Sequence, residues 1–281
     1  MFNVQNKNII ACIVCGAALV PFLDSCVGTS TAERANELLQ QAETFAKEGK
    51  YQEALNLLDS LDHAYPAEVD MRRRGMGMRP RMLEQLTNLQ LQTADSIAAI
   101  SAYKLDSLSK NLKMVSNAVE NYYVYAAEGA GSSLSPGLHP RVAADGRFYI
   151  IAASPKPVGA TSLTVLSGGE SAATSIVGYD GERNDRSSGT DVITFIEAEC
   201  DDVGRFIATH RDEPVTVTFN GKSNASLTLS DAQCNAVASL YETASLIRER
   251  KKQELEKQRL TRLLDVARSQ IARTTLDSIP E

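Results

Sequence analysis

The chain has 281 residues, enough for one large domain or two small ones. Its hydrophobic fraction of 43% and charged fraction of 23% are ordinary for a folded body, and the net charge of −6 argues against nucleic acid as a partner, because counterion release needs a concentrated basic face. The absence of Trp weakens a sugar-stacking role.

Chain order begins with Lys7 and the apolar run Ile9 to Val20, followed by Pro21, Phe22 and Leu23. That run is too short to span a hydrocarbon core of ~30 Å but suits the apolar region of an export signal. It ends in Leu23-Asp24-Ser25-Cys26, which resembles the bacterial lipobox, with an aliphatic residue, then a small residue, then Cys. Asp24 departs from the usual small or apolar choice. The resemblance implies cleavage after residue 25, a diacylglyceryl thioether on Cys26 and an acylated new N-terminus. Three acyl chains hold a membrane far more firmly than one. Residues 27–32 lack the acidic residues that many Bacteroidetes surface lipoproteins carry there, so the expected site is the outer membrane, facing the periplasm. Cys12 and Cys15 sit inside the apolar run without a second pair, so their C-x-x-C spacing does not read as a metal or redox motif. Cys200 and Cys234 remain, either as buried thiols or as a disulfide.

After a linker at 26–34, residues 35–70 read as two helices. Leu38, Leu39, Ala42, Phe45 and Ala46 recur at helical spacing, Gly49 breaks the run, and Ala54, Leu55, Leu58 and Leu61 form a second stripe closed by Pro66. With small Ala42 and Ala54, Gly49 at the turn and Tyr51 after it, the segment resembles one tetratricopeptide (TPR) repeat. A lone repeat cannot bury its own apolar face and must pack on something else. Residues 71–80 read as a connector broken by Gly75, Gly77 and Pro80. Arg72, Arg73, Arg74, Arg79 and Arg81 make it the most basic spot, either a patch for anionic lipid headgroups or a polyanion, or cations placed favourably at a helix C-terminus.

Residues 81–122 read as one long helix with Leu83, Leu86, Thr93, Ile97 and Ile100 in its stripe and Leu112, Val115 and Tyr122 continuing it. Residues 231–275 read as its partner, opened by a capping box of Ser230 and Gln233. Charged residues 248–259 read as a solvated face. Between the helices, 123–229 alternates apolar and polar residues, including 147–152, 162–166, 191–197, 204–208, 214–219 and 225–229. Turn signals stand at Asp145-Gly146, Gly168-Gly169, Asp180-Gly181 and Asn220-Gly221. The expected fold is therefore α+β. It combines a TPR-like hairpin with an antiparallel coiled-coil hairpin that carries an inserted small β-sandwich or barrel, expected to fold without the helices.

Chemistry is sparse. His63, His139 and His210 lie far apart, and no nucleophile, zinc or phosphate-cradling motif occurs. The loop 179–191 gathers Asp180, Glu182, Asn184, Asp185 and Asp191, oxygen donors that calcium favours. Arg183 and Arg186 oppose that reading, and the spacing matches no EF-hand. Asn224-Ala-Ser226 fits a glycosylation acceptor, with little meaning in a bacterial lipoprotein. The expectation is a membrane-anchored scaffold or interaction protein with an unidentified protein partner, no cofactor, no enzymatic activity and possible oligomerisation. Rivals are a glycan or small-molecule binder, which a concave patch of Tyr149, Tyr179, Phe195 or Phe206 would favour, and a hydrolase, which a convergent carboxylate pair would favour.

Overall fold

The computed structural model describes residues 30–116, 120–127, 134–186 and 189–276. Cys26 and the export segment lie outside them. The described chain mixes five α-helices with two antiparallel sheets, so the fold is α+β. None of these helices is long and apolar enough to cross a membrane. The chain divides into two units, residues 1–76 and 77–281.

In the first unit, α1 (Thr31–Lys47) opens on a capping box. Ser30 Oγ accepts from the Glu33 amide, and the Ser30 amide donates to Glu33. Gly49 takes a left-handed turn (φ +78°) into α2 (Tyr51–Ala64). Ala35, Leu39 and Ala42 of α1 pack with Ala54, Leu58 and Leu61 of α2, all buried. The connector expected at 71–80 is helical, forming the start of α3 (Val69–Ser109). Its first turns cover part of the hairpin's apolar face. A Cβ at Gly75 would stand 3.0 Å from Leu58 Cδ2 and 3.9 Å from Leu39 Cδ1, so the missing side chain is what allows this close approach. Arg72 pairs with Asp62 (3.0 Å) and Arg74 with Glu43 (3.1 Å), which assigns these two arginines to helix packing. Helix α3 continues through Pro80, whose missing N–H leaves the Met76 carbonyl without its helical donor.

In the second unit, α3 runs antiparallel to α5 (Asp231–Leu276). Glu84 meets Arg268 (3.0 Å) and Asp95 meets Lys257 (2.8 Å). The Ser230–Gln233 capping box is present at the α5 start. The buried α3 residues here include Thr87, Ala94 and Ser101, seven apart, matched on α5 by Gln253, Leu260 and Ala267. Leu83 and Ile100, expected in the buried stripe, are exposed. A long helix can carry two stripes, and the partner's approach decides which one is covered.

Two further expectations are corrected. The helix expected over 81–122 ends at Ser109, and β1 (Leu112–Ser116) pairs with β2 (Asn121–Tyr125) in the register Leu112↔Tyr125 and Val115↔Tyr122. The Tyr-rich β2 favours extended pairing over helix propagation. Residues 204–208, expected as strand, belong to helix α4 (Asp201–Thr209). Asp201 and Asp202 suit a helix N-terminus, and Val203, Phe206 and Ile207 fall on one buried helical face.

The larger sheet continues through β3 (Gly137–Ala143), β4 (Phe148–Ala153), the two-residue β7 (Asn184–Asp185) and β8 (Val192–Ile196), in the order β1-β2-β3-β4-β8-β7. The smaller sheet holds β5 (Ser162–Ser167), β6 (Glu170–Ala173), β9 (Thr216–Asn220) and β10 (Asn224–Thr228), in the order β10-β9-β5-β6. Gly168 and Gly169, both at positive φ, make the tight β5–β6 turn. Both sheets feed one core with α4 and the first turns of α5, including Phe148, Ile150, Phe195, Ile207, Val217 and Leu240.

Candidate interaction groove

Among the described residues, a groove of about 880 Å³ opens where the sheet meets the two long helices. Helix α3 contributes Ala98, Ala102 and Leu105, α5 contributes Thr243, Ile247 and Leu255, and the sheet contributes Leu112 and Tyr123. Small Ala98 and Ala102 leave space that larger side chains would fill. Asp106, Asp145, Arg250, Lys251 and Glu254 also line it, so apolar side chains and charges of both signs share the groove.

The β3–β4 turn forms one wall. Gly146 (φ +91°) lies against α5, where a Cβ would meet Ile247 and Arg248 side-chain carbons at 3.0 Å and the Ala244 carbonyl oxygen at 3.3 Å. Arg147 donates to Asp145 Oδ2 at 2.9 Å and is ion-paired to Glu120, while the Tyr149 hydroxyl stands 3.3 Å from that Glu120 carboxylate. Burial pushes the Tyr149 phenol up to about 12, against the pull of Arg147 and with the push of Glu120. Burial alone would raise the Asp145 carboxyl, but the Arg147 amide and guanidinium together hold it below the usual carboxylate range. A second, adjoining groove of about 660 Å³ shares Asp145, Lys251 and Leu255 and adds Arg147, Arg248 and Arg259. Arg248 is locked to Asp201 at 2.6 and 3.1 Å.

The candidate chemical residues from the sequence are dispersed. His139 donates to the Ser135 carbonyl (2.8 Å), and the His210 ring stacks on Phe206 with centroids 4.2 Å apart. His63 is exposed near the end of α2. Among the described residues, no group of three or more His, Cys, Asp or Glu is placed to hold a metal ion. In the loop 179–191, Arg183 Nη1 donates to both Glu199 carboxylate oxygens at 3.0 and 2.9 Å, and Asp180 Oδ1 accepts the Glu182 and Arg183 amides. Asp191 is buried, and its Oδ2 accepts the amides of Val158 (2.8 Å) and Ala160 (3.0 Å). Arg186 Nε stands 3.5 Å from the other oxygen. These carboxylates are turned to arginines and backbone amides instead of a common centre.

Of the four aromatic residues singled out, Phe195 and Phe206 are buried. Tyr149 belongs to the Glu120–Arg147 cluster, and Tyr179 is exposed beneath Arg186 at 4.3 Å. They do not form one concave patch. Cys200 and Cys234 are free, buried thiols, both pushed up by burial. The groove was not legible in the sequence because its walls come from three separate stretches, and the residues that create its space are alanines without a chemical signature.

No protein-family model matches the chain, and no significant match is found among curated proteins or solved structures.

Proposed function

We propose that the chain is a lipid-anchored, periplasm-facing interaction or scaffold protein, with no enzymatic role, held on the outer membrane through Cys26. The observation that carries the interaction role is the groove of about 880 Å³, whose mixed apolar and charged lining suits the capture of an apolar side chain flanked by charges. The anchor rests on the short apolar run ending at Leu23-Asp24-Ser25-Cys26, four residues before the Ser30 cap of α1.

In this reading α1 and α2 form a TPR-like hairpin. Buried Ala42 and Ala54, Gly49 at the turn and Tyr51 opening α2 support that assignment. The seven-residue recurrences on α3 and α5 support an antiparallel coiled coil with the β domain inserted between its helices.

Glycan binding is the second reading, favoured by the uncharged grid on the smaller sheet. Thr218 and Ser226 hydroxyls stand 2.9 Å apart, and Asn220 Nδ2 donates to Thr164 Oγ1 at 2.9 Å.

Two experiments test the proposal. Cys26→Ser should abolish acyl labelling and release the chain from the membrane pellet, and unchanged labelling would refute the anchor. A photo-crosslinking residue at Ala102, in native membranes, should give a discrete protein adduct that Leu105→Arg removes. If adducts form only from the Thr218–Ser226 face, and with glycan, the second reading replaces the first.

A further inference from the structure

The loops beside β7 hold an arginine whose donors are unused. The Arg186 side chain is only 32% exposed, yet none of its five N–H groups makes a hydrogen bond among the described residues. Its Nε is buried and stands 3.5 Å from Asp191 Oδ1, without a hydrogen bond. Asp191 is itself fixed, because its Oδ2 holds the Val158 and Ala160 amides at 2.8 and 3.0 Å. The ring centroid of Tyr179 lies 4.3 Å from the guanidinium carbon and holds the group from a second side. The Nη edge is what these two contacts leave for a ligand.

That edge meets a lysine over a glycine. A Cβ at Gly159 (φ +67°) would stand 3.9 Å from Arg186 Nη2, 3.5 Å from Lys222 Cγ and 3.8 Å from Lys222 Cδ, so both cationic side chains pass the same bare backbone. The β9–β10 turn is pressed onto that backbone. The Lys222 amide donates to the Val158 carbonyl at 2.8 Å, and a Cβ at Gly221 would fall 2.6 Å from the Gly159 carbonyl oxygen. Lys222 is exposed and has no ion pair among the described residues. The Gly159 amide, flanked by the two that Asp191 accepts, makes no hydrogen bond among them either. Asp180 and Glu199 do not answer these cations. Asp180 accepts the Glu182 and Arg183 amides, and Glu199 accepts from Arg183.

We infer that Arg186, Lys222 and the Gly159 amide bind the oxyanion group, phosphate or carboxylate, of a ligand. The two Nη groups form a planar fork that matches two oxygens of such a group, Lys222 adds a point charge, and the amide adds a further donor. Asp191 offsets the charge of Arg186, so Lys222 supplies the net attraction. A guanidinium already held by Asp191 and Tyr179 loses little freedom on binding, which lowers the cost of capturing a compact group. A metal cation would meet two like charges here. The site shares no residue with the Ala98–Ala102 groove and does not depend on lipid at Cys26, so it stands or fails independently of the proposed function.

The test titrates inorganic phosphate, and separately acetate, into the full chain at low ionic strength, with chloride as the reference anion. The chain is held in neutral detergent micelles if it proves acylated. The amide NMR signals of Gly159 and Lys222 should move saturably, with a Kd of about 1 mM or tighter for at least one of the two anions. A response to phosphate alone assigns a phosphate-bearing ligand, and a response to acetate assigns a carboxylate. Arg186→Gln and Lys222→Gln should each weaken binding by about tenfold or more. Arg186→Lys, which keeps the charge and loses the fork, should weaken it as well, whereas Lys104→Gln on α3 should leave it unchanged. Circular dichroism establishes that the variants fold. Arg186→Gln leaves Asp191 buried without its partner, so Lys222→Gln, at an exposed position, decides the matter if that variant unfolds. Shifts that chloride reproduces, a response to neither anion, or undiminished binding by Lys222→Gln would mean an adventitious ion only and overturn the inference.

Discussion

Tyr149 shows how one side chain sets a pH dependence. Burial raises its phenol from 10.0 to about 12, so the folded chain holds that proton more tightly than the unfolded chain. The stabilisation is complete below the unfolded value and is lost as pH rises from about 10 to about 12. Urea denaturation across that window should therefore show a falling midpoint, and Tyr149→Phe should flatten this part of the fall. An unchanged alkaline slope in that variant would assign the loss to other groups. Asp191 supplies a different kind of residue-scale constraint. Its Oδ2 is the acceptor for two amides that pin the segment before β5. Asp191→Ala strands both donors and should cost about 2–4 kcal/mol, read as a lower urea midpoint at constant slope. A loss below about 1 kcal/mol would mean that the amides find other partners.

At the scale of elements, the glycines of α3 separate two roles that look alike in sequence. A Cβ at Gly77 meets nothing within 4 Å, whereas one at Gly75 meets Leu58 at 3.0 Å. Gly77→Ala should therefore stabilise the chain by about 0.5–1 kcal/mol in thermal melts, through reduced freedom of the unfolded chain. Gly75→Ala should give less, or a loss. Equal gains at both positions would show that Leu58 yields freely. Helix α4 depends on the same kind of close approach. A Cβ at Gly204 would stand 2.7 Å from both Phe148 and Tyr241, whose rings meet edge to face. The expected cost of Gly204→Ala is about 1–3 kcal/mol of overpacking, measurable in the same melts.

At the scale of the molecule, the β region and the return helix share one core. Cys234, Val237, Leu240 and Ala244 of α5 sit in the same cluster as the two sheets, with Leu112 of β1 packed against it. Residues 123–229 alone would expose that face of the core and should fail to melt cooperatively in calorimetry. The second unit, with α5 restored, should regain a cooperative transition. A sharp transition in the isolated segment would show that the helix only decorates the core. The expectation of a self-sufficient β region overlooked α5, because nothing local distinguishes the apolar residues at 234–244 that face sheet from those at 260–271 that belong to the helix pair.

What the sequence by itself determined was local. The capping boxes at Ser30 and Ser230, the glycine turns at Gly49 and Gly168-Gly169, the helical periodicity of α1, α2 and α5 and the β character between the long helices all depend on residues a few positions apart. Apolar spacing at 83–100 correctly marked a helix but chose the wrong buried face, because α3 carries two stripes and burial is decided by where α5 approaches. The same limit applies to 112–116, which follows helical spacing yet becomes a strand once β2 offers backbone partners, and to 201–209, where helical packing overrides a strand-like run. Only the tertiary structure could assemble the groove, since a gap between helices is made by the small side chains at Ala98 and Ala102 and by the distance of their neighbours in space. Local spacing specifies which elements form, whereas burial is a non-local free energy that depends on which surfaces meet.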